Sequence, residues 1–386
     1  MTVRPTRSII LSPTAAGSLG DQAMIDVLVT KANELFGRPP SVLPNAYTIR
    51  SPARILDMGA SRAQQIGGLA EVVRAEYVLA VGADGLDGLY GIPQRVKRLR
   101  LMEWAYRLGA KVRVIGSSFS ETPRPEMIDR LRRMPWLEIL ARDPVSKLRM
   151  ESALDREVKL VADVAFLLKP QLTSQPARRA AEWIAAARGK ERRPVGLNVS
   201  GLVFQKLPKG TLERFADIVA RNLAELHDIA TLVIPHDWRS GEAGDLDSCR
   251  TVYEILRVRM GERCHLIDEP ITSWDAKAIA GLIDCALLCR MHFAVACLGQ
   301  GISPYCLVSA GKFEGLMEHF GLTGNLFDPA DLTTPEQMLR PVNRMLQHWV
   351  HDAETVKAAL PTVMALSEKN FDELGAAMIV SRVSRG

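Results

Sequence analysis

No Cys-x-x-Cys pair occurs anywhere in the 386 residues. The six cysteines, Cys249, Cys264, Cys285, Cys289, Cys297 and Cys306, fall mostly inside apolar runs and lack metal-ligand spacing. That argues against a zinc site and for buried thiols in a reducing compartment. No stretch of about 18 uninterrupted apolar residues exists, so no spanning helix is expected. The apolar run 9–11 behind Arg4 and Arg7 is too short for a signal peptide, and a cytoplasmic location is expected. Blocks of like charge are missing too. With 49 basic and 44 acidic residues the net charge is +5 and spread out, which suits a small anionic substrate and is too weak to argue for nucleic acid. Neither a Walker loop nor a dinucleotide fingerprint is present.

What the chain does have is alternation. A hydrophobic content of 47% over 386 residues implies more than one core. Strand-like runs at 8–12, 77–81, 111–115 and 137–140 alternate with helical spacing at 21–36, 62–75 and 93–108. After a polar, Pro-containing linker at 169–177 the pattern resumes, with strands at 194–199, 231–235, 264–267, 285–289 and 304–308. Such alternation predicts parallel sheets with right-handed crossovers. The expected domains are 1–170 and 177–335, followed by helices over 336–386 that can cross back to the first domain. The basic residues Arg95, Lys97, Arg98 and Arg100 read as the solvated face of the 93–108 helix.

Chemistry-bearing residues cluster where strands end. The apolar strand 285–289 stops at Arg290-Met291-His292, and a short apolar helix follows. Ligands bind at the carboxyl ends of strands in open α/β sheets, and a helix N-terminus there offers free N–H groups. Gly17-Ser18-Leu19-Gly20-Asp21 precedes the first helix, where glycines let backbone approach a ligand and Asp21 reads equally as a first-turn acid. Gly82, Asp84 and Gly85 form a turn at another strand end. Ser117 and Ser118 can donate to a phosphate or satisfy their own loop. Arg142 lies just before Asp143-Pro144, an N-cap and N1 pair. His236-Asp237-Trp238 ends a strand of the second half, where His236, Asp237 and Asp245 could grip sugar hydroxyls and Trp238 could stack. One histidine with scattered carboxylates is a weak metal signal, and no metal is expected.

These motifs, in this order, resemble the polysaccharide pyruvyl transferase family. The likeness rests on Arg290-Met291-His292 with Pro304 and Lys312 after it, on the 17–23 junction (Ser18 stands where the family has Asn), and on the glycine turn, interrupted here by Ala83 and Asp84. It rests also on Arg142-Asp143 with Ser146 and Leu148, on Asp163, and on the His236-Asp237 pair. The resemblance implies two Rossmann-like domains facing a cleft in a GT-B-like arrangement. It implies transfer of the pyruvyl group of phosphoenolpyruvate onto two hydroxyls of a sugar or oligosaccharide, free or lipid-linked, with release of phosphate. No cofactor is implied, and a lipid-linked acceptor would bring the enzyme to the inner face of a membrane. Arg142 and Arg290 would hold the donor's anionic groups and His292 would move protons, with residues of both halves converging on one site. The alternatives are a GT-B nucleotide-sugar glycosyltransferase, in which Arg290 and Lys312 hold a diphosphate, and a non-catalytic sugar-binding protein of the same fold.

Overall fold

The structure is a computed structural model and describes residues 6–12, 17–43, 52–56, 61–89, 91–308 and 311–374. The chain divides into two compact units. The first comprises Met1–Ala16, Asp21–Leu167 and Val363–Gly386; the second comprises Gly17–Gly20 and Leu168–Thr362. The four residues Gly17–Gly20 thus belong with the second unit, and the C-terminal segment from Val363 with the first.

Among the described residues the first unit holds seven strands: β1 (Ser8–Leu11), β2 (Ser41–Leu43), β3 (Arg54–Ile55), β4 (Tyr77–Ala83), β5 (Lys111–Ser117), β6 (Glu138–Ala141) and β7 (Lys159–Leu160). All pairings are parallel, in the order β3-β2-β1-β4-β5-β6-β7. Strand order reverses between β1 and β4. The second unit holds β8 (Arg193–Leu197), β9 (Ile229–Val233), β10 (Cys264–Leu266), β11 (Cys285–Leu288), β12 (Ser303–Leu307) and β13 (Leu326–Phe327). It too is parallel, ordered β10-β9-β8-β11-β12-β13, with its reversal between β8 and β11.

Central strands such as β9, β11 and β12 are buried on both faces. This is why they read as predominantly apolar runs rather than alternating ones. The short strands β2, β3 and β13 carry too few residues to show a period, and the sequence reading passes over them. The helix after β6 starts as its residues require: Asp143 accepts from Ser146 N at 2.6 Å and Pro144 occupies the first turn.

The expected linker 169–177 is fastened to the second unit. Gln171 N donates to Trp274 O at 3.2 Å, and the Asp275 carboxylate takes the amides of Thr173 and Ser174. Asp275 also closes a capping box with Thr272. The long helix Pro335–Glu368 tolerates Pro341 and Pro361 in its interior. In its last turn Ser367 Oγ donates to Asp163 O, and just beyond it Asn370 Nδ2 donates to Ala162 O, each at 2.8 Å, within the first unit. The part of the expected helical tail at 375–386 lies outside the described residues. All six cysteines are buried and free. Burial pushes the Cys264 and Cys289 thiols up to about 12.

Candidate active site

At the switch point of the second sheet, β8 runs into Asn198 and β11 into Arg290. Asn198 ties the neighbouring strand ends together. Its amide donates to Ile234 O at 2.9 Å and to Asp245 Oδ2 at 3.1 Å, and its Oδ1 accepts from Cys289 N at 3.2 Å. Arg290 is the N-cap residue of the helix Met291–Leu298. Its Nε and Nη2 reach Asp245 Oδ1 at 2.9 and 2.7 Å, and Nη2 also donates to Ala243 O at 2.6 Å. Nη1 lies 3.3 Å from Asp237 Oδ2, the longest of these contacts. Asp237 is shared with Arg239, whose Nε donates to it at 2.8 Å.

This corrects the expected role of two carboxylates. Asp237 and Asp245 are buried, at 2% and 0% exposure, and are spent on arginines and backbone. They brace Arg290 and do not present themselves to sugar hydroxyls. Trp238 is half-buried, and its indole Nε1 is buried without a hydrogen-bond partner.

Gly17–Gly20 complete the site. Trp238 N donates to Gly17 O at 2.9 Å, Leu19 N donates to His236 O at 3.3 Å, and Ser18 bridges to Asp237. A Cβ at Gly20 would stand 2.1 Å from His292 Cγ and Nδ1. Any side chain there collides with the imidazole, so this glycine is required by close packing on His292. His292 is thereby placed in the first turn of its helix, two residues from Arg290, with the ring of Phe293 behind it tilted against His236 at a centroid distance of 5.4 Å. Lys312 precedes the helix Phe313–Glu318 in the same unit and is half-buried.

Electrostatics separate the titratable groups. Burial, then the charges of His292 and Arg290, push His236 well below the usual imidazole range, so it is neutral near pH 7. Burial likewise lifts Asp245, against the opposing pull of Arg290, Asn198 and the His236 amide. A histidine whose folded pKa is depressed contributes stability that is fully present above its unfolded value, about 6.5, and is lost as pH falls below it. Stability measured by urea denaturation should therefore fall from about pH 7.5 to 5.5. His265, lowered by burial, adds to the same slope. His236→Gln should flatten it, and an unchanged slope would show that His236 is not held neutral.

The first unit treats its predicted residues differently. Arg142 is 4% exposed, and all three of its nitrogens are engaged. Nε donates to Ser118 Oγ at 2.7 Å, Nη1 to Asp163 at 2.9 Å and Nη2 to Asp84 at 2.8 Å. Burial opposes its charge, but Asp84, Asp163 and Asp143 outweigh burial and raise its pKa. The arginine expected to contact the donor is a buried brace, and the Asp84 that interrupts the glycine turn is its counter-ion. Ser118 Oγ donates to Asp143 at 3.2 Å and Ser117 Oγ to Ala83 O at 3.1 Å. Ser118 thus serves Arg142 and the loop after β6, and Ser117 the end of β4.

Gly82 is obligatory, since a Cβ would meet Ile115 O at 2.4 Å. Gly85 N closes the turn onto Gly82 O at 3.0 Å. Ala83 takes φ +44°, a left-handed conformation that favours glycine. Asp21 is half-buried in the first turn of the helix Leu19–Phe36.

Three positions escape the sequence reading. Asn198 signals itself only as a polar residue ending an apolar run. Arg239 is hidden among other arginines. Gly244, whose Cβ would lie 1.8 Å from Arg239 O, looks like any loop glycine.

The family model described as polysaccharide pyruvyl transferase matches residues 19–310 of the chain. No curated protein matches it. Among solved structures, the UDP-GlcNAc 2-epimerase of Neisseria meningitidis bound to UDP-GlcNAc is similar, with a TM-score of 0.61 at 9% identity over 98% of this chain and 100% of that one. The epimerase of Methanocaldococcus jannaschii gives 0.56 at 14% identity, covering 94% and 99%. The trehalose 6-phosphate synthase of Burkholderia multivorans gives 0.52 at 12% identity, covering 99% of each. These are GT-B fold enzymes, and the chain shares that fold. At such identities the likeness carries the fold alone.

Proposed function

The chain belongs to the polysaccharide pyruvyl transferase family, and we propose that it moves the pyruvyl group of phosphoenolpyruvate onto two hydroxyls of a sugar, forming a cyclic ketal and releasing phosphate. The observation that carries this reading is the placement of His292 beside the braced Arg290, at the carboxyl end of β11 where the strand order reverses.

The chemistry asks for a proton at the methylene carbon of the donor, so that C2 becomes electrophilic. His292 is the residue proposed to supply it. As the first sugar hydroxyl bonds to C2, the imidazole, now neutral, takes that hydroxyl's proton. The second hydroxyl then bonds to C2 as the C2–O bond to phosphate breaks, and its proton leaves with the phosphate or to solvent. One histidine alternating as acid and base fits general acid–base catalysis.

Arg290 has five N–H donors. Those on Nε and Nη2 are held by Asp245 and Ala243, and the Nη1 contact to Asp237 is the loosest. The donor's carboxylate would compete with Asp237 for Nη1, while Asp237 keeps Arg239 as its partner. Lys312 is proposed to add a second cation, and the acceptor to be a saccharide or its lipid-linked precursor. No described helix is long and apolar enough to cross a membrane, so a lipid-linked acceptor would be met from the membrane surface.

Thermal unfolding with ligands tests this reading. Phosphoenolpyruvate in large excess over its dissociation constant should stabilise the protein by about 3–4 kcal/mol. UDP- and GDP-sugars should have little effect. A response only to the nucleotide sugars would overturn the donor assignment in favour of glycosyl transfer, and no response to any of them would favour a sugar-binding protein without this activity.

A further inference from the structure

We propose that Arg95 and Arg98 form a phosphate-binding site at the switch point of the first unit. The inference does not depend on the identity of the donor. Both residues lie on the helix Ile92–Arg107, where the sequence pattern assigns them to a solvated face. The structure turns them inward. Arg98 Nη2 donates to Leu11 O at 2.8 Å and to Val81 O at 2.6 Å. Leu11 ends β1 and Val81 lies two residues before the end of β4, the adjacent strands between which the sheet order reverses. That crevice is where open α/β sheets take their ligands.

The second arginine makes the case. The position a Cβ would occupy on Gly85 lies 3.3 Å from Arg98 Nη1 and 3.6 Å from Arg95 Nη1. Two guanidinium groups therefore flank one point in a glycine turn that has no side chain to fill it. The Nε atoms of both are buried without a hydrogen-bond partner. Among the described residues neither arginine is ion-paired with a carboxylate. Of the nearby acids, Asp84 is engaged with Arg142 and Asp87 with the amides of Leu89 and Ser120, while Asp21 acts on Arg98 through its charge.

Burial and the charge of Arg95 push Arg98 down to about 10, with Asp21 opposing only in part. An arginine that merely capped two strand ends would need no second cation beside it. A phosphate dianion would relieve the repulsion and accept from both forks. The ligand class is thus a phosphoryl group, carried either by a phosphomonoester such as phosphoenolpyruvate or by the diphosphate of a linked saccharide.

Calorimetric titration of the full chain with inorganic phosphate, inorganic pyrophosphate and phosphoenolpyruvate tests this. Arg95→Gln should weaken the anion bound by the wild type about tenfold or more, and Arg95→Gln/Arg98→Gln about a hundredfold. Lys97→Gln, on the exposed side of the same helix, should change nothing. Loss confined to pyrophosphate assigns the site to the diphosphate source, and loss that includes phosphoenolpyruvate assigns it to the monoester. If Arg98→Gln lowers the melting temperature, the single Arg95→Gln variant decides. Unchanged affinities in these variants would overturn the site while leaving the donor reading intact, and so would a wild type that binds none of the three anions. Pyrophosphate binding lost in the variants, in a protein that never binds phosphoenolpyruvate, would keep the site and sink the donor.

Discussion

His292→Gln should lower the turnover number about 100- to 10,000-fold, the range expected on removing a general acid. That corresponds to roughly 3–5 kcal/mol of barrier. Donor affinity measured by calorimetry should change far less, because an interaction made only in the transition state leaves binding alone. Gly20→Ala should reproduce part of the loss without touching the histidine, since its methyl would enter the space of the imidazole. Arg290 should behave in the opposite sense. Arg290→Lys should raise the Michaelis constant for phosphoenolpyruvate, because an ammonium cannot hold Asp245 and the donor with one planar fork. Near wild-type turnover in His292→Gln would remove His292 from the mechanism and make His236 the next histidine to test.

Arg142→Ala should cost about 3–5 kcal/mol of stability, the penalty for stranding a buried partner. Its removal leaves Asp163, with a side chain only 3% exposed, without its cation. Asp84 is 26% exposed, and Asp84→Ala should cost less, about 1–2 kcal/mol. The two share one guanidinium, so the double variant should be less destabilised than the sum of the singles, by more than about 0.5 kcal/mol. Denaturant unfolding of the four proteins measures this. If Arg142→Ala keeps full stability and instead loses donor affinity, the arginine faces the ligand and the brace is misread.

Much of the fold was legible because its signals are local. Asp143-Pro144 announces a helix start by capping chemistry, and β11 announces itself as an unbroken apolar run, with β9 and β12 nearly so. The placement of Arg290 and His292 at a strand end was equally plain, as a charge and an imidazole interrupting an apolar stretch. What could not be read was pairing across long sequence separations. Nothing near Arg142 says that Asp84, 58 residues away, is its counter-ion. Nothing near Gly20 says that an imidazole 272 positions on will rest on its Cα. The helix of Arg95 and Arg98 misled for a related reason: a basic stretch looks solvated until the sheet order brings two strand ends beneath it. Asp237 and Asp245 misled through their composition. A carboxylate at a strand end suggests a sugar ligand, and only burial with an arginine partner shows otherwise.

The central claim is that His292 protonates phosphoenolpyruvate beside Arg290, and a crystal structure of the protein with phosphoenolpyruvate or an unreactive analogue bound tests it most directly. The account predicts an imidazole nitrogen of His292 within about 3–3.5 Å of the donor's methylene carbon, with the donor carboxylate on Arg290 Nη1 in place of Asp237. A donor bound elsewhere, with His292 and the Arg290–Asp237 pair unchanged, would contradict it.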